Sequence, residues 1–321
     1  MEWYHNNKRD LVFRKHQDPY RIWISEIMAQ QTQIISMLDY YERWIEKWPS
    51  IKELAQAEEQ EVLKAWEGLG YYSRARNILK TAKIIDKEYN AQLPTTYLEL
   101  CELPGIGDYT AGAIASIAYK QNVAAIDGNV IRVMSRLMKD HRDFLKIKNK
   151  RELKITLESL MNDYNPSDFT QALMELGAIV CKPVNPLCSE CPLQAICLSK
   201  KDNSQMDYPV KKIRPQNQID EYNVFIYKTR SSLLVSSDDS DNLMKGLLRL
   251  PMLEVGTEIP FRDFNFVYTM KHLFSHKTWI LNVYDVDTLT SIFSNWYFIP
   301  LDEIKNHSWT GAHKKILKKL L

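Results

Sequence analysis

Apolar positions in the first two-thirds of the chain recur every three to four residues. From Asp18-Pro19, an N-cap followed by proline at the first helical position, Trp23, Ile27 and Ile34 to Leu38 carry one apolar stripe. Periodicity leaves open whether one helix or two span this stretch, and Thr32 offers a cap for a second one running to Trp48. The segments SIKELAQAEEQEVLKAW, SRARNILKTAKIIDKEY, YTAGAIASIAYK, NVIRVMSRLMK and SDFTQALMELGAIVC repeat the pattern between short Gly, Pro or Asn breaks. An all-helical bundle ending in a cysteine cluster is expected. After Cys197 the chain turns polar, in LSKKDNSQMDYPVKKIRPQNQIDE, and reads as a linker. The period then changes: YNVFIYKT and SSLLVSS, separated by a turn at Arg230-Ser231, and TWILNVYDV are rich in Val, Ile, Tyr and Phe and read as strands. The resulting division is a helical domain (1–205), a linker (206–220) and a smaller mixed α/β domain (221–321).

A chain of 321 residues and 37.7 kDa supports two cores without cross-links. The first residues, MEWYHNNKRDLVF, are charged and polar and run into no apolar signal region, and no later run approaches a membrane span, so a soluble, cytoplasmic protein is expected. The charge balance is nearly even, 42 Lys and Arg against 40 Asp and Glu, and carries no global nucleic-acid footprint. Basic clusters at 146–154 (KIKNKRELK) and 209–215 (PVKKIRP) read as solvated faces or linker.

Four of the five cysteines fall in CKPVNPLCSECPLQAIC, at Cys181, Cys188, Cys191 and Cys197. In a reducing compartment such a cluster favours metal over disulfide. The C-x6-C-x2-C-x5-C spacing contains one C-x2-C knuckle rather than the two usual for structural zinc, which favours an iron–sulfur cluster and leaves zinc and unligated thiols as alternatives. Cys101, on an apolar helical face in YLELCELPG, reads as a buried small hydrophobe.

In ELPGIGDYTAGAIAS, Gly105 and Gly107 form a tight turn between two helices, with Tyr109 and Thr110 opening the second. Glycines permit left-handed backbone angles and close approach, and the free N–H groups of the new helix suit a phosphate; a plain helix–helix turn explains the same pattern. Asp127, before Gly128-Asn129, is a candidate N-cap. Glu26 lies among large apolar neighbours in RIWISEIMAQQT, which raises a carboxyl's pKa toward neutrality. Two carboxyl groups in different environments are what acid-assisted cleavage of a glycosidic bond needs.

Taken together, SEIMAQQTQ, WEGLGYYSRARN, LPGIGDYTAGAIAS, AIDGNVIRV, QALMELGAIVC and the cysteine loop resemble the helix-hairpin-helix DNA glycosylase superfamily, and within it the adenine DNA glycosylase (MutY) branch, over nearly the whole chain. The resemblance implies a mainly α helix-hairpin-helix glycosylase domain with an iron–sulfur loop, followed by a smaller α/β Nudix-like domain. It implies excision of adenine opposite 8-oxoguanine, or opposite G, from double-stranded DNA by a monomeric enzyme carrying one [4Fe-4S] cluster on the four cysteines. Glu26 would protonate adenine and Asp127 would stabilise charge at C1′; Tyr109 and Asn129 would position them, and Arg9 would hold the flipped base, which must leave the stack to be reached. Gln31 and Tyr71 match residues that wedge into the duplex, Thr32 and Leu69 match those beside the 8-oxoguanine, and Gln30, Gly105 and Gly107 complete the DNA contacts. Lys182, Lys200 and Lys201 would face phosphate beside the cluster. Bifunctional members carry a lysine nucleophile where this chain has Tyr109, so strand cleavage through a Schiff base is not expected.

Phe274-Ser275-His276 matches the family's 8-oxoguanine-reading loop. No G-x-S-x-G elbow surrounds the Ser-His pair, and the acidic box of Nudix hydrolases is absent, so recognition rather than hydrolysis is expected. Two departures from the family pattern stand out. Val12-Phe13 replaces Pro-Trp, which is expected to loosen the chain before Asp18, and GLLRLPM, with Arg249, replaces a more typical LWEFP.

Overall fold

A computed structural model describes residues 1–210, 218–238, 245–274 and 277–320, the last without its side chain. Its contacts divide the chain into two units, 1–57 with 73–213, and 58–72 with 214–321.

The first unit is helical. It contains α1 (Glu2–Asn7), α2 (Pro19–Ala29), α3 (Ile34–Lys47) and α4 (Ile51–Ala55); α5 (Glu59–Ala65) belongs to the second unit. It continues with α6 (Ser73–Glu88), α7 (Tyr97–Glu102), α8 (Asp108–Ile117), α9 (Gly128–Met138), α10 (Ile147–Met161), α11 (Pro166–Glu175) and α12 (Leu198–Lys201). Local chemistry sets many of the boundaries. Asp18 accepts the Tyr20 N–H ahead of Pro19, Thr96 caps α7, Asp127 caps α9 through the Val130 N–H, and Asn165 caps α11 ahead of Pro166. Met37, Tyr41, Trp44 and Ile45 bury one face of α3, and Trp23, Ile24 and Met28 bury one face of α2.

Three expectations change here. The stripe after Asp18 is two helices, but the N-cap of the second is Gln33, because the Thr32 hydroxyl turns back to the Gln30 carbonyl. The segment 50–66 breaks into α4 and α5 at Gln56–Glu58, where Glu58 and Glu61 make a capping box. Cys101 is partly exposed rather than buried. The Val12-Phe13 departure is absorbed by a short 3-10 turn, with the Phe13 ring edge-on to Tyr41 at 5.9 Å.

The second unit holds β1 (Gln218–Tyr227), β2 (Ser232–Ser236), β3 (Met252–Glu254), β4 (Phe261–Leu273), β5 (Lys277–Leu289), β6 (Trp296–Pro300) and α13 (Gly311–Leu320). One sheet runs β3-β1-β5-β4, parallel only between β1 and β5; β2 and β6 pair in a second, antiparallel sheet. Alternation along β1 sends Val224 and Ile226 into a cluster with Trp279, Leu281 and α13, and Phe225 into another with Phe261 and Trp296. Arg249 is buried beside Trp279, its guanidinium 5.8 Å from the ring, and its backbone pairs with Ser236.

The expected linker narrows at both ends. Tyr208 is buried, its carbonyl accepting from Arg136 and its hydroxyl bonded to His141, so the helical unit extends past 205, and β1 already begins at Gln218.

Candidate active site and nucleic-acid interface

Glu26 sits on α2 between Trp23 and Ile27, and Tyr109 in the first turn of α8, which packs against α2. The Tyr109 hydroxyl donates to Glu26 Oε2 at 2.5 Å, and Gln30 Nε2 donates to Thr110 Oγ1 at 3.2 Å, tying the same two helices a turn away. Burial pushes the Glu26 carboxyl up to about 7, against the lowering effect of the Tyr109 hydrogen bond, and the Asp127 charge pushes the same way as burial. Burial also raises Tyr109 well above its usual range, so it remains a neutral donor. With Oε2 taken up as an acceptor, the proton of neutral Glu26 belongs on Oε1.

Asp127 Oδ1 accepts the Val130 N–H at 2.7 Å, and Oδ2 accepts from Asn129 Nδ2 at 2.7 Å. Burial raises this carboxyl too, but those two donors act against it, so it is the better stabilised anion of the pair. Arg132 donates to Asn129 Oδ1 at 2.7 Å and to the Gly177 carbonyl at 2.8 Å. A Cβ on Gly177 would lie 2.5 Å from that of Asn129, so a glycine is what permits this approach. The two carboxyl groups are therefore each oriented by a separate set of hydrogen bonds.

Glu26 opens onto a cavity of about 430 Å³ lined also by His5, Arg9, Phe13, Arg14 and Gln171, a size suited to a small ligand. Arg9 lines it but is not a free arm: its Nε and Nη2 donate to the Glu175 carboxylate at 2.7 and 2.8 Å, and its backbone N–H at 2.9 Å. Arg14 Nη2 reaches the same carboxylate at 2.6 Å. Burial alone would raise Glu175, which is wholly enclosed, but hydrogen bonds from the two arginines pull it down to about 2. Glu175 and Arg14 were not anticipated; the available signal was a glutamate inside the apolar run QALMELGAIVC.

The glycines of the hairpin differ in role. Gly105 takes φ +78° and lies against Asn77, where a Cβ would meet another at 2.6 Å; Gly107 has φ −88°, caps α8, and faces open space. The left-handed angle expected of both therefore belongs to Gly105 alone. A cavity of about 700 Å³ in front of Gly107 is lined by Lys150 and Arg151 of the basic cluster, while Lys154 bonds Asp108 at 2.9 Å.

The two expected wedge residues share an unusual backbone: Gln31 has φ +56° and Tyr71 φ +48°, left-handed angles that cost a non-glycine residue energy. Both are exposed, Thr32 is half-buried and Leu69 is buried. Phe274 packs edge-on to Trp279 at 4.7 Å; Ser275 and His276 lie outside the described residues.

Cys181, Cys188, Cys191 and Cys197 line one small cavity with Arg136 and Lys200. Among the described residues no group of side chains is drawn together around a single-ion position, yet the thiols of Cys188 and Cys191, raised first by burial, feel the charge of Cys181 and Cys197. Four soft sulfur donors around a shared space fit an iron–sulfur group, and a four-cysteine zinc site draws on the same donor set. Helix α9 grips the loop: Arg132 donates to the Cys181 carbonyl at 2.7 Å, and Arg136 donates to the carbonyls of Lys182 at 2.7 Å and Pro183 at 3.2 Å and to Cys181 Sγ at 3.4 Å. The helix capped by Asp127 thus also fastens the cysteine loop. No helix among the described residues is long and apolar enough to cross a membrane.

Residues 24–162 match the HhH-GPD superfamily base excision DNA repair protein family, and 181–197 match the iron–sulfur binding domain of endonuclease III. The adenine DNA glycosylase of Rattus norvegicus is 44% identical over 206 residues, 61% of this chain and 40% of its own length, so the chain matches about two fifths of that relative. The adenine DNA glycosylase of Buchnera aphidicola subsp. Baizongia pistaciae is 34% identical over 320 residues, 92% of this chain and 89% of the relative. Among solved structures, a non-covalent endonuclease III–DNA complex aligns with TM-score 0.54 at 25% identity, over 63% of this chain and 92% of the other. A thermostable thymine-DNA glycosylase aligns with TM-score 0.58 at 24% identity, over 63% and 93%.

Proposed function

Because the chain belongs to the adenine DNA glycosylase family, we propose that it is a monofunctional DNA glycosylase that removes adenine opposite 8-oxoguanine, and opposite G more weakly. The observation that carries this reading is the Glu26–Tyr109 pair beside the capped Asp127. Neutral Glu26, with its proton on Oε1, protonates N7 of a flipped adenine and makes the base a competent leaving group. The glycosidic bond breaks toward an oxocarbenium-like sugar, and Asp127, held by Val130 and Asn129, stabilises the charge growing at C1′ until water adds there and gives its proton back to the Glu26 carboxylate. Tyr109 supplies a phenol and no amine, so no Schiff base forms and strands stay intact.

Arg9 and Arg14, fixed by Glu175, supply donors along the cavity wall. Gln30, Gln31, Thr32, Gly105 and Gly107 of the first unit, and Leu69 and Tyr71 of the second, are each assigned a contact with the duplex. The second unit is read as a Nudix-like module that recognises 8-oxoguanine through the Phe274–His276 loop. The four cysteines would hold one [4Fe-4S] cluster, which would supply structural fastening of a loop that presents Lys182, Lys200 and Lys201 to phosphate. The partner is double-stranded DNA, the protein acts as a monomer, and its place is the cytoplasm with the nucleoid. The test is base release from duplexes with A opposite 8-oxoguanine, G, C or T. Free adenine from the first two, without strand breaks before alkali, supports the reading; a protein–DNA adduct trapped by borohydride would replace it with a lyase.

A further inference from the structure

The turn that carries Leu69 and Tyr71 has little regular structure of its own. Gly68, Gly70 and Tyr71 all have positive φ, and its internal ties include Trp66 Nε1 to the Gly70 carbonyl at 2.9 Å and the Leu69 N–H to the Trp66 carbonyl at 3.1 Å. Glu67 ties it to α5 and α13. Its side chain is only 6% exposed, and Oε2 lies 2.6 Å from Lys314 Nζ on α13 and 3.3 Å from Lys64 Nζ on α5. Oε1 accepts the Trp309 N–H at 3.3 Å, and Lys64 also donates to the His307 carbonyl at 2.9 Å.

Helix α13 has a second set of neighbours. Ala312, Ile316 and Leu317 pack in the cluster that contains Trp279, and Phe274 packs edge-on against that tryptophan. A continuous path of packed and charged groups therefore runs from Phe274 through Trp279 and α13 to Lys314, Glu67 and the Leu69–Tyr71 turn. Packed side chains, ion pairs and rigid elements are what carry coupling between sites, and α13 joins the two ends here through Ile316 and Lys314.

We propose that Glu67 is a positioning residue for opposite-base specificity: its ion pair with Lys314 holds the Leu69–Tyr71 turn in register with Phe274, the residue that follows β4. This rests on the glycosylase reading above. Glu67 touches no substrate atom. It fixes the angle at which the turn meets the duplex, so its loss lowers the preference for 8-oxoguanine over G while base release itself persists.

The experiment compares single-turnover adenine release from duplexes with A opposite 8-oxoguanine and A opposite G. Glu67→Gln keeps an acceptor for the Trp309 N–H but loses the charge, and Lys314→Met removes the charge from a partly exposed side chain. Each is expected to lower the 8-oxoguanine-to-G rate ratio about tenfold with the rate opposite G retained, the double variant no further than either single one, as for two members of one pair. Lys314→Arg is expected to restore the wild-type ratio. Ratios within about twofold of wild type in both single variants, or equal losses on both duplexes, would overturn the inference. If Glu67→Gln fails to fold, Lys314→Met decides. A wild-type chain that releases adenine from neither duplex overturns the glycosylase reading itself, and is read from the wild-type arm alone.

Discussion

Tyr109 and Glu26 lie 83 positions apart in the chain, yet the phenol donates to Glu26 Oε2 at 2.5 Å. The contact decides which carboxyl oxygen keeps the proton, and it lowers the carboxyl's pKa against the larger upward effect of burial. Removing the phenol in Tyr109→Phe therefore raises the Glu26 pKa above about 7. The alkaline limb of the pH–rate profile for base release is expected to move up by about one unit. Single-turnover rates between pH 6 and 9 check this; a limb that moves down would contradict the assignment of Tyr109 as donor.

Glu26 also weakens the fold it serves. Its folded pKa of about 7 lies above the ordinary 4.5, so the folded state holds a proton that the unfolded chain gives up sooner, and stability falls as pH rises from 4.5 through 7. Glu26→Gln has no such dependence. It is expected to be more stable than wild type by about 3 kcal/mol at pH 8 and equal to it below pH 4.5, as urea unfolding at both pH values would measure.

Glu175 has the opposite sign. Its folded pKa, about 2, lies below the ordinary 4.5, so it contributes stability above pH 4.5 that is lost as pH falls through 2. Glu175→Gln leaves Arg9 and Arg14 without their carboxylate and is expected to cost about 3 kcal/mol at pH 7. The difference should hold down to about pH 5 and close below it.

The local features of this protein were legible in its sequence, and the long-range ones were not. Asp18-Pro19, Asp127 and the cysteine spacing act through neighbours a few residues away, so residue type and spacing suffice to read them. Glu26 was legible because its apolar neighbours are its own helix. Glu175 was not, since Arg9 and Arg14 are 166 and 161 positions away. The grouping of 58–72 with the C-terminal strands was missed for the same reason: Glu67 meets Trp309 across 242 positions. Thr32 misled because a hydroxyl can bond back to a nearby carbonyl as readily as it caps a helix.

Metal analysis tests the cysteine loop. About four irons per chain are expected, with visible thiolate-to-iron absorbance. Cys188→Ser should lower iron content and duplex affinity together, because Arg132 and Arg136 tie the loop to the helix that Asp127 caps. Stoichiometric zinc would contradict the cluster.

Asp127→Asn offers the most direct measurement, because asparagine caps a helix as well as aspartate does and the fold is expected to be retained. The variant is compared with wild type and Glu26→Gln in single-turnover release of free adenine from a duplex with A opposite 8-oxoguanine, with duplex binding measured alongside. Wild type is expected to release adenine, and both variants to bind the duplex while releasing it slower by on the order of a thousandfold or more. Release by either variant at the wild-type rate would contradict the account.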